Sequence, residues 1–379
     1  MPVWWGTFAY MIIMSSIGMM MYKNKVLDAQ VATEETGGKF NYKSIGLVFG
    51  ILVFVPLIIF SGYREGIFDT QDYQYAYNVF FTDKLDQVND IISGSRDIKG
   101  PLFYILLIYF KHFFHGTYND WFMLIALFQG ISVALFFYRY ASNYRYSIFL
   151  YFTTSGFLWM FNGIRQFIAV ALILYFVRWI EKRKTIPFIL VVIVAFFIHS
   201  SAIFWIPVYF IINIKPWSTK FIVLSIILTI ALYIYSVTLS DESDYSYLNA
   251  DIRYSTGVKP VRIIVMAIPC VIAFIKRKEL EEKTPPFIRM WINLSVIITE
   301  CYVVGMFTSG VVGRLPIYFL FFNWLLLPWL IENAVDDRMR QPITIASIVG
   351  YLAYFCYDMY VAKNGIYYSL ILDLHYWNK

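Results

Sequence analysis

The chain has 379 residues, of which 59% are hydrophobic and 15% are charged, and its formal net charge is +6 at pH 7. A soluble domain carries about 25% charged residues, so this composition excludes an ordinary water-soluble fold. The basic residues lie in short loops, where they set membrane topology, and they do not indicate nucleic-acid binding.

Apolar segments follow one another along the chain. The runs 44–63, 121–138 and 221–240 contain no Asp, Glu, Lys or Arg, and a helix needs about 20 mostly apolar residues to cross the hydrocarbon core. These runs lack the period-2 alternation of a transmembrane barrel. We therefore predict one all-α polytopic membrane domain over 1–379 with about 12–13 hydrophobic segments. We place them near 3–22, 44–62, 101–115, 120–138, 146–161, 165–180, 186–199, 201–213, 219–238, 261–275, 287–306, 315–331 and 342–360.

Short loops rich in Lys and Arg predict the orientation, because such loops stay in the cytoplasm. The loops "EKRK" (181–184) and "KRKELEEK" (276–283) are therefore placed inside, and loop 63–100 is predicted to be external. This scheme requires segment 101–115, which is short and contains Lys111, to be re-entrant rather than spanning. The alternative is that loop 63–100 faces the cytoplasm.

Arg165 lies in "FNGIRQFIAV" (161–170), with apolar chain on both sides. Asn162 is a candidate N-cap, and Gly163 would let a ligand approach the backbone. The helix that follows would then present free N–H groups beside a guanidinium, an arrangement that binds phosphate. The alternative is an arginine that snorkels to the membrane interface.

Other polar residues are expected on the same outer face. His199 follows thirteen apolar residues and precedes Ser200 and Ser201, so it could exchange a proton near neutral pH or be purely structural. The stretch "YREGIFDTQDYQYAY" (63–77) combines carboxylates with aromatic rings, which suits a sugar, although a solvated loop has the same composition. Arg314 in "GVVGRLP" (310–316) is a second candidate anion ligand or a snorkelling arginine.

We expect no metal and no cofactor. The histidines show no ligand spacing, and Cys270, Cys301 and Cys356 lie in or near separate apolar segments without a CxxC motif.

These stretches resemble the EpsG family of bacterial exopolysaccharide polymerases, which are Wzy-like. The resemblance covers Arg64 with Asp69, Thr70 and Tyr73, and then "FNGIRQFIAVALIL" (161–174), "AFFIHSSAIFWIPVYF" (195–210) and "GRLPIYF" (313–319). One departure is Lys99-Gly100, where the family often has an acidic residue. Asp97 is a possible substitute.

The resemblance implies a multi-pass glycosyltransferase of GT-C-like plan in the bacterial cytoplasmic (inner) membrane, with its site facing outward. Such enzymes transfer a growing glycan from undecaprenyl diphosphate to a sugar hydroxyl of the next lipid-linked repeat unit, without a nucleotide sugar. The expected partners are the undecaprenyl-diphosphate-linked oligosaccharide, the lipid bilayer, and a chain-length regulator and flippase of the same pathway.

In this scheme Arg165 and Arg314 would clamp the diphosphate, with Arg64 assisting. His199 and Asp69 compete for the role of general base, and His199 is slightly favoured. The other predicted substrate-binding residues are Asp72, Tyr73, Asn162, Gln166 and Ser200.

Three alternatives stay open. A flippase or transporter for polyprenyl-linked sugars would also use buried arginines, but it predicts an internal duplication that the sequence lacks. A membrane O-acyltransferase would use a histidine on the cytoplasmic side, whereas His199 is placed outward. A ligase that moves the finished chain to another acceptor is a close variant of the polymerase.

Overall fold

A computed structural model describes residues 2–35, 42–64, 69–96, 98–241, 257–308 and 312–362. Within these ranges the chain forms helices and no strand, so the prediction of an all-α polytopic membrane protein is confirmed. The described residues form two compact units. The first extends to Ile203 and resumes at Leu352, and the second runs from Phe204 to Tyr351.

The first unit is built around a long central helix. Its helices are α1 (Pro2–Glu35), α2 (Tyr42–Leu52), α3 (Val55–Gly62), α4 (Thr70–Tyr75), α5 (Asp86–Ile92), α6 (Pro101–Phe114), α7 (Tyr118–Tyr140), α8 (Tyr144–Thr153), α9 (Ile164–Tyr175), α10 (Arg178–Glu181) and α11 (Thr185–Ile198). A π-helical turn follows α4 at Ala76–Phe80, and 3-10 turns occupy Gly156–Met160 and Ser200–Phe204. The central helix α7 packs against α2, α3 and α9.

The second unit has its own helical core. It contains α12 (Trp205–Ile212), α13 (Thr219–Asp241), α14 (Pro260–Ile275), α15 (Arg277–Lys283), α16 (Pro286–Phe307), α17 (Leu320–Ala334) and most of α18 (Asp337–Cys356), with a 3-10 turn at Val312–Tyr318. Helix α16 is largely buried and packs against α12, α13, α14 and α17.

Four of the described helices are long and apolar enough to cross a membrane: α7, α13, α16, and α18 together with the π turn that follows it. The 3-10 turn Val312–Tyr318 and α17 would add a fifth span, which is bent by 60°. Seven further apolar helical stretches in the described ranges, one of which covers most of α2 and all of α3, have only 10–17 residues. Several predicted hydrophobic segments therefore exist as apolar helices that are shorter than a full bilayer span.

Several predicted segments are broken or shortened in the structure. Segment 44–62 is two helices rather than one, because Pro56 lies in the first turn of α3 and cannot donate a backbone hydrogen bond to the preceding turn. Segment 165–180 likewise ends early, at Tyr175. The predicted interruption between 186–199 and 201–213 is present: α11 ends at Ile198, and the backbone of the following His199 is extended (φ −150°, ψ 118°).

Helix α6 contacts residues of loop 63–100 near both of its ends. Near its start, Phe103 packs against the ring of Tyr73 at 5.5 Å between ring centres. Near its end, the Lys111 ammonium donates to the backbone carbonyls of Tyr77 (2.6 Å) and Phe81 (2.8 Å). Chain from the polar loop 63–100 therefore lies beside α6. Whether α6 is re-entrant or spans the membrane stays a prediction.

Candidate functional site

The start of α9 is capped by a side chain from a distant loop. The first helical residue is Ile164, and the preceding Gly163 has a left-handed backbone with φ of 70°. The N–H groups of Gly163 and Ile164 donate to Asp69 Oδ2, at 3.0 and 3.4 Å. A carboxylate at a helix N-terminus is stabilised by hydrogen bonds and by the helix dipole.

Two predictions about this turn are therefore corrected. Asn162 is not the N-cap of α9, since Gly163 occupies that position. Two of the N–H groups that were expected to be free for a phosphate are instead bound by Asp69.

Arg165 projects from the first turn of α9 into an aromatic and carbonyl environment. Its Nε donates to Tyr73 Oη at 3.2 Å, and its Nη1 donates to the Lys99 carbonyl oxygen. The guanidinium carbon lies 5.9 Å from the ring centre of Tyr73 and 5.5 Å from that of Tyr104. Both rings are within the range of cation–π attraction. The guanidinium is thus oriented by two rings and two acceptors.

Tyr73 contributes to this environment as a neutral hydroxyl. Burial raises the pKa of its phenol far above the usual range, and this outweighs the opposing effect of Arg165. The phenol oxygen can therefore accept from Arg165 at any physiological pH without adding a negative charge.

The stretch Lys99-Gly100 belongs to the site, although the sequence showed it only as a departure from a family pattern. Gly100 has φ of 75° and immediately precedes α6. A Cβ at this position would collide with the backbone carbonyl oxygen of Ile198 and would lie 3.1 Å from Arg165 Nη1. Glycine therefore allows three chain segments to meet. A Gly-Pro pair before an apolar helix was the available signal.

We expect Gly100→Ala to lower both the apparent melting temperature and any activity that depends on Arg165. Gly94→Ala is a matched control, because Gly94 has nearly the same φ, 76°, but no atom within 4 Å of an added Cβ. The control should cost about 1–2 kcal/mol, from backbone strain alone. Thermal unfolding of the two purified variants measures the difference. Equal losses would show that the contact with Ile198 is unimportant.

His199 is linked to the same helix through a serine. His199 Nδ1 lies 2.7 Å from Ser201 Oγ, and Gln166 Nε2 donates to the same oxygen at 3.4 Å. Gln166 is buried on α9, one residue after Arg165, while Ser200 is exposed. The structure thus places Gln166 and His199 together around Ser201, a residue outside the predicted set.

Two buried polar side chains, Arg64 and Ser61, hydrogen-bond to the last residue of the 3-10 turn that precedes α9. Arg64 is only 1% exposed, donates through Nη1 to the Met160 carbonyl at 2.7 Å, and lies 4.5 Å from the Phe122 ring centre. Ser61 Oγ donates to the same carbonyl at 2.8 Å. This geometry favours a structural role for Arg64 over direct contact with a substrate.

A second buried pair fixes the other end of this turn. Ser155 has φ of 59°, and its Oγ donates to Asp358 Oδ2 at 2.6 Å. Both side chains are at most 5% exposed, and Asp358 lies in the π turn after α18. The non-helical approach to Arg165 is therefore fixed at both ends, although the sequence singled out neither Ser155 nor Asp358.

The remaining predicted residues are less closely associated. Asp72 is exposed on α4, and Asn162 is half-buried in the turn before α9. Arg314 is exposed in the 3-10 turn Val312–Tyr318 of the second unit, so its role in binding stays a prediction. Among the residues that the structure describes, no group of three or more His, Cys, Asp or Glu side chains could hold a metal ion.

Comparison with known protein families identifies the chain's relatives. The sequence model described as the EpsG family matches residues 47–372, nearly the whole chain. No curated protein and no solved structure matches.

Proposed function

Because the chain belongs to the EpsG family, which suggests an exopolysaccharide polymerase-like glycosyltransferase, we propose that it polymerises lipid-linked repeat units. The growing glycan would be transferred from undecaprenyl diphosphate to a sugar hydroxyl of the next lipid-linked unit. The reaction would take place on the outer face of the bacterial cytoplasmic membrane. A chain-length regulator and a flippase of the same pathway would be its partners.

The observation that carries this proposal is the oriented guanidinium of Arg165. Expulsion of a polyprenyl diphosphate develops negative charge on oxygen, and a fixed guanidinium stabilises that charge without reorganisation. Two of its five N–H donors are directed to Tyr73 and to the Lys99 carbonyl. The remaining N–H donors, on Nη1 and Nη2, would grip phosphate oxygens. Asp69, which occupies the helix N-terminus, would direct the substrate to the guanidinium rather than to the end of the helix.

His199 is the better candidate for the base. The acceptor hydroxyl would attack the anomeric carbon, the carbon–oxygen bond to the diphosphate would break, and the diphosphate would leave with the electron pair. The hydroxyl proton would pass to His199 Nε2 in the tautomer whose Nδ1–H donates to Ser201 Oγ. Asp69 is less suited, because its carboxylate already accepts from two backbone N–H groups. A single displacement would invert the anomeric configuration.

The test is polymerisation in vitro. Purified protein is mixed with lipid-linked repeat units, and the products are resolved by length. We expect a ladder of products without nucleotide sugar and in the presence of EDTA, since arginine rather than a metal would neutralise the diphosphate. No chain growth, with lipid-linked units moving across the bilayer instead, would favour a transporter. Activity lost in EDTA and restored by Mg²⁺ would contradict the metal-free mechanism.

Orientation can be tested with single cysteines in a chain whose native cysteines are replaced by alanine. We expect Tyr75→Cys, at the exposed last residue of α4, to react with an impermeant thiol reagent on intact spheroplasts. Lys278→Cys, exposed in α15, should react only after permeabilisation. If position 75 reacts only from inside, α6 is a span and the site faces the cytoplasm.

A further inference from the structure

A carboxyl group that the proposed reaction does not use lies within a membrane-spanning helix of the second unit. Glu300 is on α16, seven residues before its end at Phe307, which is about 10 Å along the helix axis. Its Oε2 atom is buried and has no hydrogen-bond partner among the described residues. An ionisable side chain at such a depth marks a functional site until another role is found.

Hydroxyl groups on the neighbouring span face this carboxyl. Ser225 and Thr229, one turn apart on α13, lie against the Glu300 side chain. Each hydroxyl has a single proton. The Ser225 hydroxyl donates to the Ile222 carbonyl (3.1 Å), and the Thr229 hydroxyl donates to the Ser225 carbonyl (2.9 Å). Each hydroxyl therefore has lone pairs left to accept a hydrogen bond from Glu300.

Lone pairs repel a carboxylate but accept a hydrogen bond from a carboxylic acid. Among the described residues, two thiols interact electrostatically with Glu300: Cys270 on α14 and Cys301 on α16 itself. No Lys, Arg or His in the described part of the chain forms an ion pair with Glu300. A carboxylate without a counter-ion is costly in hydrocarbon, so the surroundings favour a neutral acid that donates to Ser225 or Thr229.

We propose that Glu300, Ser225 and Thr229 form a proton-binding site between α13 and α16. Glu300 holds the proton, and the two hydroxyl oxygens accept it in a hydrogen bond. The ligand is a proton rather than a metal cation, because one carboxyl group with two hydroxyls offers few oxygen ligands and a single charge. The site belongs to the second unit and is independent of the transfer chemistry proposed for Arg165.

The test is labelling of the full-length protein in lipid nanodiscs with dicyclohexylcarbodiimide, which partitions into lipid and reacts with protonated carboxyls. Peptide mass spectrometry locates the adduct. Glu300→Gln, which keeps the size of the side chain, is the control variant. Glu281 is an internal reference, because it is exposed and its hydrogen-bonded partner Lys215 holds its pKa below the usual range.

We expect an adduct at Glu300 but not at Glu281 near neutral pH, with its yield falling as the pH rises. We also expect the infrared carbonyl band of a protonated carboxyl in wild type and its absence in Glu300→Gln. This band supports the site even if the reagent fails to reach Glu300. Absence of both the adduct and the band would overturn the proposal. Protection by Na⁺ but not by choline at constant pH would also overturn it, because the occupant would then be a metal cation.

Discussion

Replacing Arg165 with lysine is expected to lower the rate of polymerisation by about 10²–10³-fold, the range for the loss of one preorganised donor to a transition state. Lysine keeps the charge but has three N–H donors instead of five and no planar fork, so it cannot bind Tyr73 and the Lys99 carbonyl and still hold two phosphate oxygens. Arg165→Ala should be more severe. Initial rates of chain growth at saturating substrate, with equal amounts of membrane protein, measure the effect.

Arg178 provides the matched control for this substitution. It is an exposed arginine in α10, only thirteen residues along the chain, and an ammonium can replace a solvated guanidinium there. Arg178→Lys should therefore leave the rate within about twofold of wild type, as expected for a change of under 0.5 kcal/mol at an exposed site. If lysine is tolerated equally at both positions, Arg165 only marks the start of a helix.

The second large effect is expected at His199. Removal of a general base costs about 10²–10⁴-fold, and we expect His199→Ala to fall in this range. Asp69→Asn is the informative companion, because asparagine is also a good helix cap and its Oδ1 can accept from Gly163 and Ile164. An amide cannot take a proton. If Asp69 acts only as the cap, Asp69→Asn should retain most of the activity.

The pH dependence of kcat/KM separates the two roles further. With His199 as the base, the acidic limb of the wild-type profile should disappear in His199→Ala and persist in Asp69→Asn. The reverse pattern, a nearly inactive Asp69→Asn and an active His199→Ala, would assign the base to Asp69. The hydrogen bonds that Asp69 accepts from the start of α9 would then be secondary to its catalytic role.

The sequence located the functional stretches better than it located their contacts. Polar residues within apolar runs marked the turn before α9 and the break at His199, because such residues are costly in hydrocarbon and need a reason to be there. The cap of α9 could not be read locally, since Asp69 precedes Gly163 by 94 positions. Asn162 had the preferred local chemistry, but a tertiary contact took precedence over it.

Gly100 and Glu300 were missed for different reasons. The need for glycine at position 100 depends on the approach of the Ile198 carbonyl from another helix, which no local pattern encodes. Glu300 was visible as the single acidic residue within the predicted segment 287–306 and could have been singled out on that basis alone. Its partners Ser225 and Thr229 were not visible, because the pairing of α13 with α16 is a property of the fold.

The position of Arg165 between Tyr73 and Tyr104 has a consequence for the entropy of substrate binding. A free arginine side chain has about 2 kcal/mol of rotamer freedom, and fixing it when a ligand arrives weakens the affinity by a comparable amount. Here the rings and the Lys99 carbonyl restrict the side chain while the protein folds. The guanidinium is therefore already ordered before a phosphate binds, and binding costs less side-chain conformational entropy. Tyr104→Leu, which leaves both hydrogen bonds in place, should show the lost order as a more unfavourable binding entropy in calorimetry.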